Sequence, residues 1–258
     1  MATGPPPSRR PLRSDITPGS AAMAAAALGG LAAALETYRG RDRLVRTLCY
    51  GCQLAGGTLA GPQTPPSGLP GALLAVSAQL SACRTILRLF DDVAMLSHSC
   101  SYGLGPEDED ALVRALSVLC NLANQLYYPC EHLAWAADVG IVRVRSQRWW
   151  TLSTAFWAFA LLLSILRSLR VLFQLRGKLR QHKCTPLARN RKEVKAQVKA
   201  EVLSILADAA DLSNAIHWLP PGFLWAGCFP PWLVGLLGTM SSLIGIYQAL
   251  RRGNSEAT

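Results

Sequence analysis

Cys49 and Cys52 make the one Cys-x-x-Cys pair in this chain, the spacing of half a tetrahedral zinc site. Completing such a site takes a second pair or a histidine at ligand spacing, and the sequence offers neither. Cys83, Cys100, Cys120, Cys130, Cys184 and Cys228 fall at scattered apolar positions and read as free thiols, buried or lipid-facing, in a reducing compartment. His98, His132, His182 and His217 lie far apart, and none belongs to a nucleophile motif. Glu107, Asp108, Glu109 and Asp110 are consecutive and lack the glycine-centred spacing of a calcium loop. Glycine loops that cradle phosphates are also missing. The sequence therefore predicts no catalytic residue, no metal, no cofactor and no enzyme.

Its most pronounced chemistry is a choice of solvent. Between Asp211 and Arg251 run 39 residues without a formal charge, and the 18 residues Trp149 to Leu166 are fenced by Arg148 and Arg167. An 18-residue helix reaches about 27 Å, close to the ~30 Å hydrocarbon core, where a central Arg, Lys or Asp would cost about 2.5–3.5 kcal/mol. Half of all residues are hydrophobic and 16% are charged, against about 25% charged in soluble chains. The net charge of +10 is uneven: residues 167–211 hold 11 cations against 4 acids. A basic segment leaving a bilayer helix suits anionic phospholipid head groups. No reader fold or aromatic-interleaved patch accompanies it, which excludes nucleic acid as the partner. The predicted spans contain no ionisable residue, which argues against a proton-coupled carrier.

Residues 1–22 are rich in Pro, Arg, Ser and Gly and predict disorder. Arg9, Arg10 and Arg13 before an Ala-rich run imitate a secretory signal, but the run is weakly apolar and continues into an amphipathic helix. That helix carries Leu35, Tyr38, Val45, Leu48 and Cys52 on one stripe and ends near Gly56-Gly57. A second helix, Ala72 to Leu96, carries Leu73, Val76, Leu80, Cys83, Leu87, Phe90 and Ala94 on one continuously apolar face. Arg84 and Arg88 lie at its edge, their stems on hydrocarbon and their guanidinium groups reaching phosphates. The same pattern also suits a bundle helix with solvated arginines. A third helix should open on Pro106, with acids 107–110 in its first turn, break at Tyr127-Tyr128-Pro129 and resume near Cys130.

Trp149 and Trp150 anchor the first predicted span at the head-group level, and Trp232 and Tyr247 the second. Paired prolines, Pro220-Pro221 and Pro230-Pro231, forbid one straight helix through the long charge-free run. Gly238 with Ser242, and Ser241 with Gly245, stand at small-xxx-small spacing, which suits close helix packing and self-association or merely reflects residues that suit a span. The expected architecture is an all-α membrane protein in which N-terminal amphipathic helices precede two transmembrane helices joined by a basic, partly helical segment. Its boundaries are a disordered extension 1–22, an amphipathic region 23–148, a span 149–166, a basic connector 167–211, an interfacial Pro/Trp segment 212–231, a span 232–250 and a tail 251–258.

Five strings carry a resemblance: Tyr38-Arg-Gly-Arg-Asp-Arg43, Cys83-Arg-Thr-Ile-Leu-Arg-Leu-Phe-Asp-Asp92, Tyr127-Tyr-Pro-Cys-Glu-His132, Arg148-Trp-Trp-Thr-Leu-Ser153 and Phe229-Pro-Pro-Trp-Leu-Val-Gly235. In order and spacing they resemble the peroxin-11 family of peroxisomal membrane proteins, from about Met23 to Ala249. The resemblance implies a multi-pass protein of the peroxisomal membrane that elongates and divides the organelle. It implies as partners the chain itself, the alpha and beta forms of the same family, a tail-anchored fission adaptor, a dynamin-related GTPase and the peroxisomal membrane-protein import receptor. The family's membrane-inserting helix maps onto Ala72 to Leu96, which implies an apolar wedge of Leu80, Leu87 and Phe90 entering one leaflet with Arg84 and Arg88 holding phosphates. An oligomeric pore or metabolite conduit is the alternative activity. The family arrangement places both termini in the cytosol, whereas the positive-inside rule would place the basic connector there. That rule describes translocon insertion, and a receptor-inserted protein is not bound by it. Ser255-Glu-Ala-Thr258 is no matrix-import tripeptide.

Overall fold

The computed structural model describes residues 29, 30, 32, 35–60, 67–103, 105, 110–181 and 188–256, with the side chains of 178–192 and 252–256 outside the description. The expected disordered extension, the acids 107–109 and Pro106 fall outside the described residues. The chain forms two units, 1–41 and 42–258. In the first, the Gly40 amide donates to Thr37 Oγ1 at 3.1 Å. The described residues are all-helical: α1 (Tyr38–Leu59), α2 (Gly68–Arg88), α3 (Asp91–Tyr102), α4 (Ala111–Asp138), α5 (Ser146–Gln181), α6 (Ala188–His217) and α7 (Pro231–Glu256).

Pairs of side chains fix the register of the larger unit. Trp150 meets Asp138 at one end of α4–α5, and Arg170 meets Asp110 at the other, so these helices run antiparallel. Ser164 of α5 meets Asp208 of α6, and Trp157 stacks on Trp218 just beyond α6. Asn214 of α6 donates to the Val234 carbonyl of α7, while Gln248 of α7 donates to the Ala200 carbonyl of α6. From α4 to α7 each consecutive pair is therefore an antiparallel neighbour. Helices α5 and α7 contain the two stretches long and apolar enough to cross a bilayer, Ser146–Gly177 and Pro231–Arg251.

The structure corrects several sequence expectations. The predicted second helix is two helices, bent by 54° at Leu89–Phe90. The Leu89 amide bonds to the Ile86 carbonyl and the Phe90 amide to Leu87, tightening the last turn of α2, and Asp91 and Asp92 then supply the acidic first turn of α3. Asp110 caps α4 instead of lying inside it: its carboxylate accepts from the Leu112 and Val113 amides at 3.1 and 3.3 Å. The break expected at Pro129 is absent, for α4 is continuous from Ala111 to Asp138. The Tyr127 hydroxyl donates to Glu131 across the proline at 2.7 Å and helps hold the two halves in line. Residues 212–217 belong to α6, so the turn between α6 and α7 occupies 218–230 only.

Candidate functional site

Helix α2 has one face turned into the bundle and one turned out. Inward, Ser77 is buried, and Cys49 Sγ lies 3.3 Å from its carbonyl. Arg84 Nε donates to Asp42 at 2.9 Å, and Arg88 forms a two-pronged pair with Glu131, through Nε at 2.9 Å and Nη2 at 2.5 Å. Both arginines thus have carboxylate partners within the chain, which their expected role as phosphate-reaching edge residues did not include. Leu80 and Leu87 are half-buried. The outward apolar residues are Leu69, Val76 and Ile86 on α2, Phe90 at the bend, and Val93 and Leu96 on α3; Ile86 is 50% exposed, Phe90 75% and Val93 77%. Of the three apolar positions expected to insert, Phe90 lies fully on the open face.

Helix α7 is placed by small residues. A Cβ on Gly235 would collide with the backbone of Leu54, and one on Gly238 with the ring of Tyr50; a Cβ on Gly57 would in turn strike the backbone at Trp232. The α1–α7 crossing is close because these positions are glycine. Ser242 is buried and donates to the Gly238 carbonyl at 2.7 Å. Gly238 is therefore occupied by α1 of the same chain, whereas a Cβ at Gly245 would meet nothing within 4 Å. Among the expected anchors, Trp150 donates to Asp138 at 2.7 Å, Trp149 is half-buried, Trp232 is exposed, and the Tyr247 hydroxyl accepts from Lys199 at 3.0 Å.

Charged residues converge between these helices. Arg46 Nη2 contacts both Asp211 oxygens, at 2.6 and 2.5 Å, and Ser241 Oγ at 2.8 Å, while its guanidinium lies 5.6 Å from the Tyr50 ring centre. Ser241 stands midway along the second candidate span, so an ion pair flanks that span inside the bundle. His132 Nδ1 lies 3.0 Å from Asp92. A cavity of about 530 Å³ opens among α1, α2, α4 and α5, with Arg46, Arg84, Arg88 and Glu131 in its wall. Burial pushes the Tyr128 hydroxyl up to about 12 and raises Tyr127 as well. Burial also raises the Asp208 carboxyl, and the hydrogen bond from Arg170 holds Asp110 low. Among the described residues no group of three or more metal-ligating side chains assembles, and Cys49 and Cys52 do not converge on such a group.

Sequence reasoning missed Asp42, Glu131 and Asp211 as partners. Two of them carried a signal: Glu131 is isolated between Arg114 and Asp138, and Asp211 heads the long charge-free run. A lone charge in an apolar helix demands an opposite charge elsewhere.

The sequence model of the family described as Peroxisomal biogenesis factor 11 matches residues 28–250. The chain belongs to that family. It is 58% identical over 238 residues to human "Peroxisomal membrane protein 11C", covering 90% of this chain and 99% of the relative. The mouse protein of the same name is 52% identical over 232 residues, with coverage of 88% and 96%. Human "Peroxisomal membrane protein 11B" is 27% identical over 128 residues, about half of each chain (49% and 48%). No solved structure matches. The peroxisomal biogenesis factor 11 family is one of membrane biogenesis factors, not an enzyme family, and membership together with two candidate spans supports residence in the peroxisomal membrane.

Proposed function

We propose that this protein remodels the peroxisomal membrane, promoting its elongation and fission by inserting the outward face of α2–α3 into one leaflet and concentrating that wedge through self-association. The supporting observation is the row Val76, Ile86, Phe90 and Val93, exposed while Arg84 and Arg88 are paired with Asp42 and Glu131. Large apolar groups entering one leaflet expand it relative to the other and favour a tube. The bend at Leu89–Phe90 gives the wedge a corner, with Phe90 at its tip. Gly245, open on α7, is the position through which copies would associate. On this reading the alpha and beta family forms, a tail-anchored fission adaptor and a dynamin-related GTPase act with it, an import receptor delivers it, and both termini face the cytosol. The conduit alternative requires a polar face on the spans, and their outward residues, Phe159, Leu162, Leu236 and Leu243, are apolar.

The test is to express tagged wild-type, Phe90→Asp and Ile86→Asp proteins in mammalian cells beside a peroxisomal matrix marker. The wild type should lengthen or multiply peroxisomes, and both variants should reside there without doing so. Elongation by the variants equal to wild type would remove the wedge, and location in another organelle would remove the reading altogether.

A further inference from the structure

The cavity among α1, α2, α4 and α5 lies on the inward side of α2, away from the wedge face, and is unused by the function proposed above. Its wall has guanidinium donors to spare among the described residues. Arg46 makes its bonds to Asp211 and Ser241 through Nη2 and leaves Nη1. Arg84 reaches Asp42 through Nε alone, leaving both Nη groups, and Arg88 leaves Nη1. Three such forks match the oxygens of a phosphate group.

Charge balance narrows the ligand. Asp42, Asp91 and Glu131 line the same cavity, and Asp211 backs Arg46. A purely anionic ligand would add unbalanced charge to a partly desolvated space, whereas a zwitterion adds none. Aromatic surface is available for a cationic end. Trp157 and Trp218 stack with ring centres 5.8 Å apart, Tyr127 and Tyr128 meet edge-to-face at 5.1 Å, and all four line the cavity. Such faces hold quaternary ammonium groups. The volume of about 530 Å³ lies within the ordinary range for small-ligand sites, about 300–1,000 Å³.

We propose that this cavity binds a phosphocholine-type zwitterion, its phosphate on Arg46, Arg84 and Arg88 and its ammonium against the aromatic residues and Asp91. The group is borne either by a membrane phospholipid or by a soluble phosphocholine ester. This site does not depend on leaflet insertion and stands or falls separately from it.

The test uses the full chain purified in a maltoside detergent and offered phosphatidylcholine and phosphatidate of matched acyl chains, with retained lipid read by native mass spectrometry. Glycerophosphocholine is titrated in parallel by calorimetry. Phosphatidylcholine should be retained over phosphatidate, and Arg84→Gln and Trp218→Leu should each lower retention about tenfold, the loss expected from one charge-assisted or cation–π contact. Circular dichroism and thermal unfolding identify variants that remain folded, and either one suffices. Binding of the lipid without glycerophosphocholine assigns the membrane source, and binding of glycerophosphocholine assigns the soluble one. Equal retention of phosphatidate, retention unchanged in a folded variant, or binding of neither choline compound would overturn the proposal.

Discussion

Helix α7 spends its small residues inside the chain, and helix α2 leaves its large ones outside. At Gly235 and Gly238 the α7 backbone touches α1, and Ser241 and Ser242 are buried with them. On α2 the buried positions include Ser77, and the arginines turn toward Asp42 and Glu131, while Ile86 and Phe90 face out. Helix α1 does the same: Cys49, Tyr50 and Gly56 are buried and Leu48 is exposed. In a bilayer the surroundings are as apolar as a core, so packing selects small and polar residues for the interior and leaves bulky apolar ones for lipid. The comparison teaches that the two motifs serve different contacts: small residues on α7 close the bundle, and large residues on α2–α3 meet what lies beyond it.

Substitutions can break that division. The largest effect is expected at the inward face of α2: Glu131→Ala strands Arg88 inside the bundle and should cost about 3–5 kcal/mol, read from thermal unfolding in detergent. Next comes Gly235→Leu, which forces α1 off α7 and should cost about 1–3 kcal/mol or more, whereas Gly245→Leu enters open space and should stay within about 0.5 kcal/mol while weakening co-precipitation of two tagged copies. Equal destabilisation at both glycines would erase the distinction between closed and open faces of α7. On α2, Leu87→Asp should lower the melting temperature because Leu87 is half-buried, and Phe90→Asp should leave it unchanged.

The smallest effect concerns Asp208. Burial raises its folded-state pKa, so its stabilising contribution is complete below the unfolded value and is lost as pH rises through the folded one. Asp208→Asn should therefore raise the melting temperature slightly at pH 8 and less at pH 5, with Ser164 still able to donate to the amide oxygen. A larger gain at pH 5 would contradict the sign.

The helical class and the presence of two spans were legible because charge-free length acts locally, residue by residue. Family strings such as Tyr127-Tyr-Pro-Cys-Glu-His132 were legible as well. The faces were harder. Apolar periodicity puts Phe90 on one stripe with Leu80 and Leu87 and leaves Ile86 off it, and packing against neighbouring helices decides which of them turn inward. Arg84 and Arg88 read as edge residues, reaching phosphates or solvated on a bundle helix, because pairing with Asp42 and Glu131, 42 and 43 residues away in sequence, is not visible to a local pattern. Pro129 read as a break because the bonds that hold α4 through it are made by side chains and neighbouring helices.

The most direct test uses a probe already in place. Cys83 is exposed on α2, and Ser replacements at Cys100 and Cys228, and at Cys184 outside the described residues, leave it the exposed thiol among the described residues. A nitroxide on Cys83, and in a second protein on Phe90→Cys with Cys83→Ser, is placed in liposomes, and its relaxation by oxygen and by a water-soluble nickel chelate is measured. Insertion of the outward face predicts strong relaxation by oxygen and protection from nickel at both positions. Strong relaxation by nickel at both would place that face in water and contradict the wedge.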